Sequence, residues 1–246
     1  MNHSLLERYA LDVLELRQYT LHPHKRDVLI DLFDREFFET QDAVGMPVLG
    51  QFRDLDDANR FVWLRGFSTM QTRHDALAAF YGGAVWQTHR NVANATMIDS
   101  DNVLLLRPAW AGAHFPVDLR GRADKRESTI PRGFVDLTIF YLKQPASADL
   151  LAFCRQEMAQ VLGEGGAIQQ GWYVNETSEN TFTRLPVRTG ECVLVGLALF
   201  EDVRAYETFG ASMAWQQKIA PQLAAYLLKT AESHRLAPTA RSALHA

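Results

Sequence analysis

The chain has 246 residues, of which 47% are hydrophobic, and its formal net charge at pH 7 is −4. This length and apolar content suffice for a packed core in one large domain or two small ones. The 25 basic and 29 acidic residues are evenly mixed, so the sequence lacks the basic stripe that is typical of a nucleic-acid-binding protein.

The cysteine content and the N-terminal sequence indicate the compartment. The chain has only two cysteines, Cys154 and Cys192, and no CxxC motif, which argues against a disulfide framework or a zinc site. The first ten residues lack the basic and then apolar pattern of a secretory signal. No apolar run of about 18 residues is present to span a membrane. The sequence therefore predicts a cytoplasmic protein.

The first half of the chain alternates strand and helix patterns. Alternating hydrophobicity predicts a first strand over Val13–Tyr19, and a helix that begins at Pro23 carries an apolar stripe up to Phe37. Two strands, a helical region broken at Gly82–Gly83 and a fourth strand follow. Their predicted bounds are Pro47–Arg53, Phe61–Phe67, Thr69–Met97 and Val103–Arg107.

The second half repeats this order. Residues 15–19 match residues 136–140, Gly50 matches Gly171 at the same offset, and Trp86 matches Trp215 at a larger one because the second hairpin is longer. The predicted strands of the second half run through Trp172–Val174, Thr181–Arg184, Cys192–Phe200 and Leu236–Leu244, and its helices span Ala148–Leu162 and Val203–Ala231.

A unit of this order is ferredoxin-like, with a four-stranded antiparallel sheet and two helices on one of its faces. The other face also needs cover, and the second copy's sheet can supply it. The sequence thus predicts an α+β protein in which tandem ferredoxin-like βαββαβ repeats form an intrachain pseudo-dimeric α/β barrel. Residues 11–108 form the first repeat, 109–133 a connector and 134–246 the second repeat. In the connector, Phe115, Val117 and Leu119 indicate a segment that packs on the surface.

Several motifs together resemble the NIPSNAP family of the dimeric α/β-barrel superfamily. They are LELRQYTLHPHK at 14–25, FYGGAVWQTHR at 80–90, ANATM at 93–97 and FTRLPVR at 182–188. The resemblance covers nearly the whole chain outside the connector and implies the tandem barrel. Its relatives include cofactor-free monooxygenases, polyketide cyclases, isomerases and haem enzymes. Some bacterial NIPSNAP-like proteins are associated with natural-product biosynthesis, and others are discussed as non-catalytic adaptors. The fold does not choose among these functions.

His89 is the first candidate functional residue. On a helix it shares one side with Trp86, Ala93 and Met97, where a histidine can act as a general acid or base near neutral pH. The alternative is a packed histidine bonded to a backbone carbonyl. The second half has Lys218 at this place, so the acid–base chemistry is expected in the first half.

A polar row on the first strand is the second candidate. Glu15, Arg17 and Tyr19 share one strand face, where Arg17 can bind an anionic or carbonyl oxygen and Tyr19 can stack on a ligand or donate a proton. The alternative is a structural ion-pair network between neighbouring strands. The matching residues of the second half are Asp136, Thr138 and Phe140. Without the arginine, the second half is not expected to hold this chemistry.

Further residues are predicted to line a pocket for a flat aromatic ligand, with ordinary sheet packing as the alternative. They are Trp63 and Arg65 on one strand, Arg53 on its neighbour, and Tyr81 and Asn94 beside His89. The His22-Pro23-His24 turn lacks further metal ligands, GEGG at 163–166 indicates a helix stop, and Cys154 is interpreted as a core residue.

These observations predict a small-molecule-binding protein, and the leading hypothesis is a cofactor-independent enzyme. It would cyclise, dehydrate, isomerise or oxidise a reactive aromatic or polyketide-like intermediate. The predicted catalytic residues are His89, Arg17 and Tyr19, and the predicted substrate-binding residues are Glu15, Arg53, Trp63, Arg65, Tyr81, Trp86 and Asn94. This hypothesis requires a closed pocket of about 300 Å³ or more that reaches His89.

The alternative is a non-catalytic binding or scaffold protein, with Glu15 and Arg17 paired and no enclosed cavity. A third hypothesis is a haem protein in which a histidine such as His89 is the axial ligand. The expected partner is a small aromatic or polyketide-like molecule. No cofactor, metal, nucleic acid or membrane is expected, and the sequence leaves a homodimer open.

Overall fold

The computed structural model describes residues 11–119, 122–125 and 128–246. The first ten residues, on which the expectation of no secretory signal rests, lie outside the described residues. Within the part of the chain that is described, no helix is both long enough and apolar enough to cross a membrane.

The two halves of the chain contain strands and helices in a closely similar order. The first half has β1 (Val13–Leu21), α1 (Arg26–Leu32), α2 (Phe38–Ala43), β2 (Val48–Asp54), β3 (Arg60–Phe67), α3 (Met70–Gly82), α4 (Ala84–Asn94), β4 (Met97–Asp99) and β5 (Val103–Pro108). The second half has β6 (Phe134–Leu142), α5 (Ala148–Phe153), α6 (Ala159–Glu164), β7 (Gln169–Asn175), β8 (Cys192–Phe200), α7 (Val203–Ala211), α8 (Ala220–Leu223) and β9 (Glu232–Pro238). Wide π-helical turns at Phe33–Phe37, Cys154–Met158 and Trp215–Ile219 adjoin the helices.

Eight of the strands close into one antiparallel barrel. The strand order is β3-β2-β9-β6-β8-β7-β5-β1, and β1 pairs again with β3 to complete the ring, while the short β4 adds to β1 outside it. Closure leaves no exposed strand edge within the ring. Two seams, β2 with β9 and β5 with β7, join the halves through three residue pairs each. The predicted α+β class is therefore confirmed as a closed α/β barrel.

The hydrophobic core has three parts because each sheet buries both of its faces. The barrel interior takes alternate residues from all eight strands, for example Leu14, Val62, Leu137 and Val195. The outward face of each half packs against that half's own helices, with Phe61 in one such layer and Leu194 in the other. A functional site between sheet and helices is thus separated from the barrel interior by one strand layer.

Two matched glycines admit chain segments into the barrel. A Cβ on Gly50 would lie 2.9 Å from the Leu244 side chain, and one on Gly171 would lie 2.8 Å from Phe115. Real Cβ atoms do not approach so closely, so these positions favour glycine. Phe115 is 4% exposed and packs in the barrel interior. The connector therefore enters the barrel, whereas the sequence predicted that this segment packs on the surface.

His234 joins the halves at the seam between β2 and β9. Its Nδ1 lies 2.9 Å from Oδ2 of Asp54, and its Nε2 lies 2.9 Å from Oε1 of Glu232. Burial alone would lower the pKa of His234, but the hydrogen bonds to these two carboxylates raise it to about 9. The imidazolium therefore donates to both sides of the seam at neutral pH.

Because of His234, we expect the free energy of unfolding to decrease as the pH becomes alkaline. A histidine with a raised pKa contributes stability that is complete below the unfolded value near 6.5 and is lost as pH rises through about 9. Urea unfolding of the wild type should therefore show a loss of about 2–3 kcal/mol between pH 6 and pH 9, after allowing for partial solvent screening. His234→Gln should be less stable at pH 6 and should lack this loss. An equal loss in both proteins would contradict the assignment.

The structure corrects several predicted bounds. Residues 181–184 are not a strand, because they fold over α3, where Oγ1 of Thr181 donates to the backbone oxygen of Met70 at 3.4 Å. The last helical region ends at Leu223 rather than Ala231. The last strand is Glu232–Pro238 rather than Leu236–Leu244, since the chain turns at Thr239. The helix break at Gly82–Gly83 is confirmed.

Candidate functional site

The first half contains a buried cluster centred on Glu15. Oε2 of Glu15 accepts from Nη1 of Arg17 and from Nε of Arg65, each at 2.7 Å, and Oε1 accepts from Nε of Arg73 at 2.7 Å. The side chains of all four residues are at most 2% exposed. Strand alternation places Glu15 and Arg17 on the same face, and Arg65 is directly opposite Glu15 on β3.

Within this cluster, the Glu15 carboxylate is fully hydrogen-bonded by its own guanidinium partners. Burial alone would raise the pKa of Glu15, but the guanidiniums of Arg65, Arg17 and Arg73 hold it far below its usual range. Nε of Arg17 also donates to the Tyr19 hydroxyl at 2.9 Å. Each carboxylate oxygen therefore has charged donors, which agrees with the structural interpretation of this row.

Aromatic rings fill the remaining space in the first half. The rings of Tyr19 and Trp63 meet edge to face at 5.8 Å, and those of Tyr81 and Trp86 at 4.8 Å. The cavity between them is only about 20 Å³. The prediction of a closed pocket of about 300 Å³ in this half was therefore wrong, because the arginines and aromatic rings occupy the space.

The connection between β7 and β8 covers the first half. Oδ1 of Asn180 accepts from Nη1 of Arg73 at 3.0 Å, and the Phe182 ring stacks on Tyr81 with centroids 6.1 Å apart. Nδ1 of His74 lies 2.8 Å from the backbone oxygen of Thr181. The FTRLPVR motif at 182–188 thus begins in a cover over the cluster rather than in a strand.

The remaining predicted site residues lie apart from this cluster. His89 is 29% exposed, its Nε2 is 3.6 Å from Oε2 of Glu36, and its ring faces Phe37 at 6.5 Å. Asn94 is exposed at the end of α4. Nη2 of Arg53 lies 2.8 Å from Oδ1 of Asp27 in an ion pair that solvent reaches. His89 does not line the small cavity among the described residues, and the structure does not bring it together with Arg17 and Tyr19.

The second half holds a cavity with a volume of about 220 Å³, larger than the one in the first half. It lies between the outward face of the sheet and the helices. Five aromatic side chains contribute to its wall, and Asp136 is the charged residue in its described lining. The lining residues are Asp136, Thr138, Phe140, Leu162, Trp172, Gly196, Ala198, Tyr206, Phe209, Trp215, Gln216, Ala231 and Ser233.

Smaller side chains at matching positions open this cavity. Thr138 pairs with Gly196 in the register where Arg17 pairs with Trp63. Asp136 likewise pairs with Ala198 where Glu15 pairs with Arg65. Two arginines and a tryptophan are thus replaced by threonine, alanine and glycine. Gly196 also admits the Trp172 ring, since a Cβ there would lie 2.8 Å from it.

The helices of the two halves also place different residues at matching positions over the sheet. Arg73 follows the N-cap Thr69 by four residues, and Tyr206 follows the N-cap Asp202 by four residues. Where Arg73 extends to the Glu15 carboxylate, Tyr206 stacks on Phe134 with ring centroids 4.5 Å apart. Asp136 is therefore left without a guanidinium partner among the described residues.

Without a guanidinium partner in the described part of the chain, Asp136 has a pKa that is shifted from its usual value. Burial raises its pKa to about 6, while a hydrogen bond from Thr138 and the nearby His234 lower it only in part. The Thr138 hydroxyl lies 3.5 Å from Oδ1 of Asp136 and 3.2 Å from the Ser233 hydroxyl. A carboxyl with a pKa near physiological pH can both accept and return a proton.

The haem alternative requires an axial ligand, most often histidine or cysteine. Among the described residues, neither ligand type lines the 220 Å³ cavity or the 20 Å³ cavity. His89, the ligand that the sequence suggested, packs against Phe37 outside both linings. The histidine that the haem hypothesis named therefore does not face either cavity.

Sequence reasoning overlooked Arg73 in the first half and Asn180, which reaches it from the connection between β7 and β8. It treated Asp136 only as a loss of function. The available signal was the alternation in the strand CVLVGLALF at 192–200. Its helix-facing residues include Gly196 and Ala198, whereas the matching residues of the first half are Trp63 and Arg65. Two small residues in succession on one face of a strand indicate open space between the sheet and the helices.

Known proteins resemble this chain in family and in fold. Residues 14–111 match the NIPSNAP family. No protein among the curated sequences matches the chain. A candidate monooxygenase from Lactobacillus acidophilus shares 11% identity, with 93% of this chain and 96% of that chain covered and a TM-score of 0.59.

Two more solved structures share this architecture. A candidate monooxygenase from Fusobacterium nucleatum is 10% identical, with 94% of each chain covered and a TM-score of 0.62. An anthrone oxidase-like protein is 13% identical, with 95% of each chain covered and a TM-score of 0.53. At these identities the likeness establishes the fold over nearly the full length and leaves the chemistry open.

Proposed function

We propose, proceeding from the membership of residues 14–111 in the NIPSNAP family, that this protein binds a small, flat, largely apolar molecule in the cavity of its second half. We further propose that it is a cofactor-independent enzyme in which the Asp136 carboxyl transfers a proton on the bound molecule. Isomerisation, cyclisation or dehydration of an aromatic or polyketide-like intermediate needs such a group. Oxidation would in addition need dioxygen as the co-reactant.

One observation carries this proposal: a single carboxyl with a raised pKa stands in an aromatic-walled cavity. Phe140 and Trp215 form a stacked pair with ring centroids 6.1 Å apart, and both line the cavity. Flat apolar ligands favour such walls, and few polar groups then fix their orientation. As a carboxylate, Asp136 would take a proton from carbon or oxygen of the ligand. As the acid, it would return that proton elsewhere on the same molecule.

The strand order supports an origin of the two halves by duplication of one unit. Numbered within each half, both sheets have the order 4-1-3-2, which is that of the ferredoxin-like unit predicted from the sequence. We infer that residues 11–108 and 134–246 are two copies of this unit, joined by the connector 109–133. In this interpretation the second copy retained the ligand site, and the first copy closed it with arginines.

Ligand binding is tested by filling the cavity. A thermal-shift and native-mass screen with small aromatic and polyketide-like metabolites should find compounds that stabilise the wild type. Ala198→Leu adds bulk to the cavity wall, so we expect it to abolish that stabilisation. His89→Ala is the matched control in the first half and should leave it unchanged.

The same two variants also test the residues that the sequence proposed. If His89→Ala abolished binding while Ala198→Leu retained it, the site would lie in the first half with His89, Arg17 and Tyr19, and the present assignment would fail. If no compound stabilised the wild type, the non-catalytic binding or scaffold function would be favoured. The first half agrees with that second candidate, since Glu15 and Arg17 are paired there and the cavity is only about 20 Å³.

A further inference from the structure

The buried cluster of the first half carries an excess of positive charge. Arg17, Arg65 and Arg73 surround the single carboxylate of Glu15, and all four side chains are at most 2% exposed. Among the described residues, Glu15 is the carboxylate that lies within ion-pair distance of Arg17, Arg65 and Arg73. Two positive charges therefore lack a counter-charge, and uncompensated buried charge is strongly unfavourable.

Hydrogen-bond donors without partners accompany this charge. Nε1 of Trp63 is buried without a partner in the described structure, and so is Nη2 of Arg73. The Tyr19 hydroxyl accepts from Arg17 at 2.9 Å, which leaves its own proton available to an acceptor. Because buried donors are nearly always satisfied, this region needs an acceptor that the chain itself does not provide.

The small cavity of the first half is the place for that acceptor. Trp63, Tyr19, Tyr81 and Gln41 are the residues with polar groups in its lining, and its volume is about 20 Å³. A space of about 10–15 Å³ already holds one water molecule, so this cavity admits a single particle of that size and excludes an organic ligand. The guanidiniums of Arg17 and Arg65 lie 5.4 and 5.2 Å from the centre of the Trp63 ring, so two positive charges lie next to a residue that lines this space.

We propose that this cavity is a binding site for a small monovalent anion of the size of chloride. Trp63 donates its indole N–H to the anion, Tyr19 donates its hydroxyl, and the anion compensates part of the excess charge of the three arginines. The second half lacks such a site, because Thr138, Ala198 and Tyr206 stand where the arginines would be. The anion site is independent of the ligand cavity that Asp136 lines.

Thermal unfolding in two sodium salts tests this site. Chloride and the larger gluconate anion are compared at equal ionic strength, so that general screening is the same in both. A chloride concentration of about five times its Kd should raise the Tm of the wild type by about 2–4 °C. Trp63→Phe keeps an aromatic ring and removes the donor, so we expect chloride affinity to fall about 10- to 100-fold.

Two further variants separate anion binding from general destabilisation. Trp172→Phe is the matched control, because it changes the same residue type in the other half, where Nε1 donates to Gln170 at 3.3 Å. It should lower the Tm equally in both salts and keep the chloride response. Arg73→Gln removes one of the excess charges and should weaken chloride binding by at least about tenfold.

Crystals soaked in sodium bromide give the direct measurement. A bromide anomalous peak in the cavity within hydrogen-bonding distance of Nε1 of Trp63, absent in Trp63→Phe, is the expected result. No bromide peak, together with equal Tm values in chloride and gluconate, would mean that only water occupies the cavity and would overturn the proposal.

Discussion

Replacing Glu15 by glutamine is expected to lower the free energy of unfolding by about 3–5 kcal/mol. The substitution keeps the size of the side chain but removes the negative charge that three buried guanidiniums share. Breaking a buried ion pair on one side leaves the other side desolvated and uncompensated, which costs more than the pair contributes. Here that cost falls on Arg17, Arg65 and Arg73 together.

Urea unfolding at pH 7 measures this effect, with Glu36→Gln as the matched control. Glu36 is 33% exposed and has partners that solvent reaches, so its replacement should change stability by less than about 1 kcal/mol. The change in the free energy of unfolding at acidic pH gives a second measurement. Because the folded pKa of Glu15 is depressed, its contribution is present above about pH 4.3 and is lost as pH falls below that value. An equal effect of both substitutions would contradict a central role for Glu15.

Replacing Asp136 by asparagine is expected to have opposite effects on turnover and stability. Turnover of the compound identified by the binding screen should fall by about 10²- to 10⁴-fold, the range for loss of a general acid or base. Stability at pH 8 should rise by on the order of 1–3 kcal/mol, because the variant no longer holds an unpaired charge at a partly buried position.

The direction of the pKa shift of Asp136 determines how the stability of the wild type changes with pH. The pKa of Asp136 is raised to about 6 by burial, so the unfolded state ionises first and the wild type loses stability between about pH 4 and pH 6. The Asp136→Asn variant should lack that loss. The turnover of the wild type should show a limb with an apparent pKa near 6, and Asp136→Glu should restore part of the rate. A variant as active as the wild type would exclude Asp136 from the chemistry.

Much of the architecture could be predicted because it follows from local alternation. Leu14 and Leu16 face the barrel interior while Glu15 and Arg17 face the helices, as the period of two in a strand requires. The match between Gly50 and Gly171 indicated a repeat, and the structure adds that both glycines lie at close contacts of the barrel. The connector was misjudged, because surface packing and insertion of Phe115 into a barrel leave the same apolar pattern in the sequence.

The position of the cavity could not be predicted in the same way. Arg17 and Trp63 were interpreted as ligand-binding groups because their chemistry suits that role. In the structure their size and mutual pairing fill the first half. An opening depends on the summed volume of residues from separate elements, such as Arg73 on α3 and Asn180 in the connection after β7. Those residues meet only through long-range folding, so no local period identifies them.

The separation between barrel interior and helix layers has an evolutionary consequence. Residues that line the second-half cavity, such as Thr138 and Ala198, lie on the sheet face opposite to the residues that hold the barrel closed, such as Leu137 and Leu197. Mutations in the lining therefore leave the packing shared by the two halves intact. Under the proposed function, ligand preference can therefore change by substitution in this lining at little risk to the barrel, whereas substitution of Glu15 in the first half would leave three buried guanidiniums uncompensated.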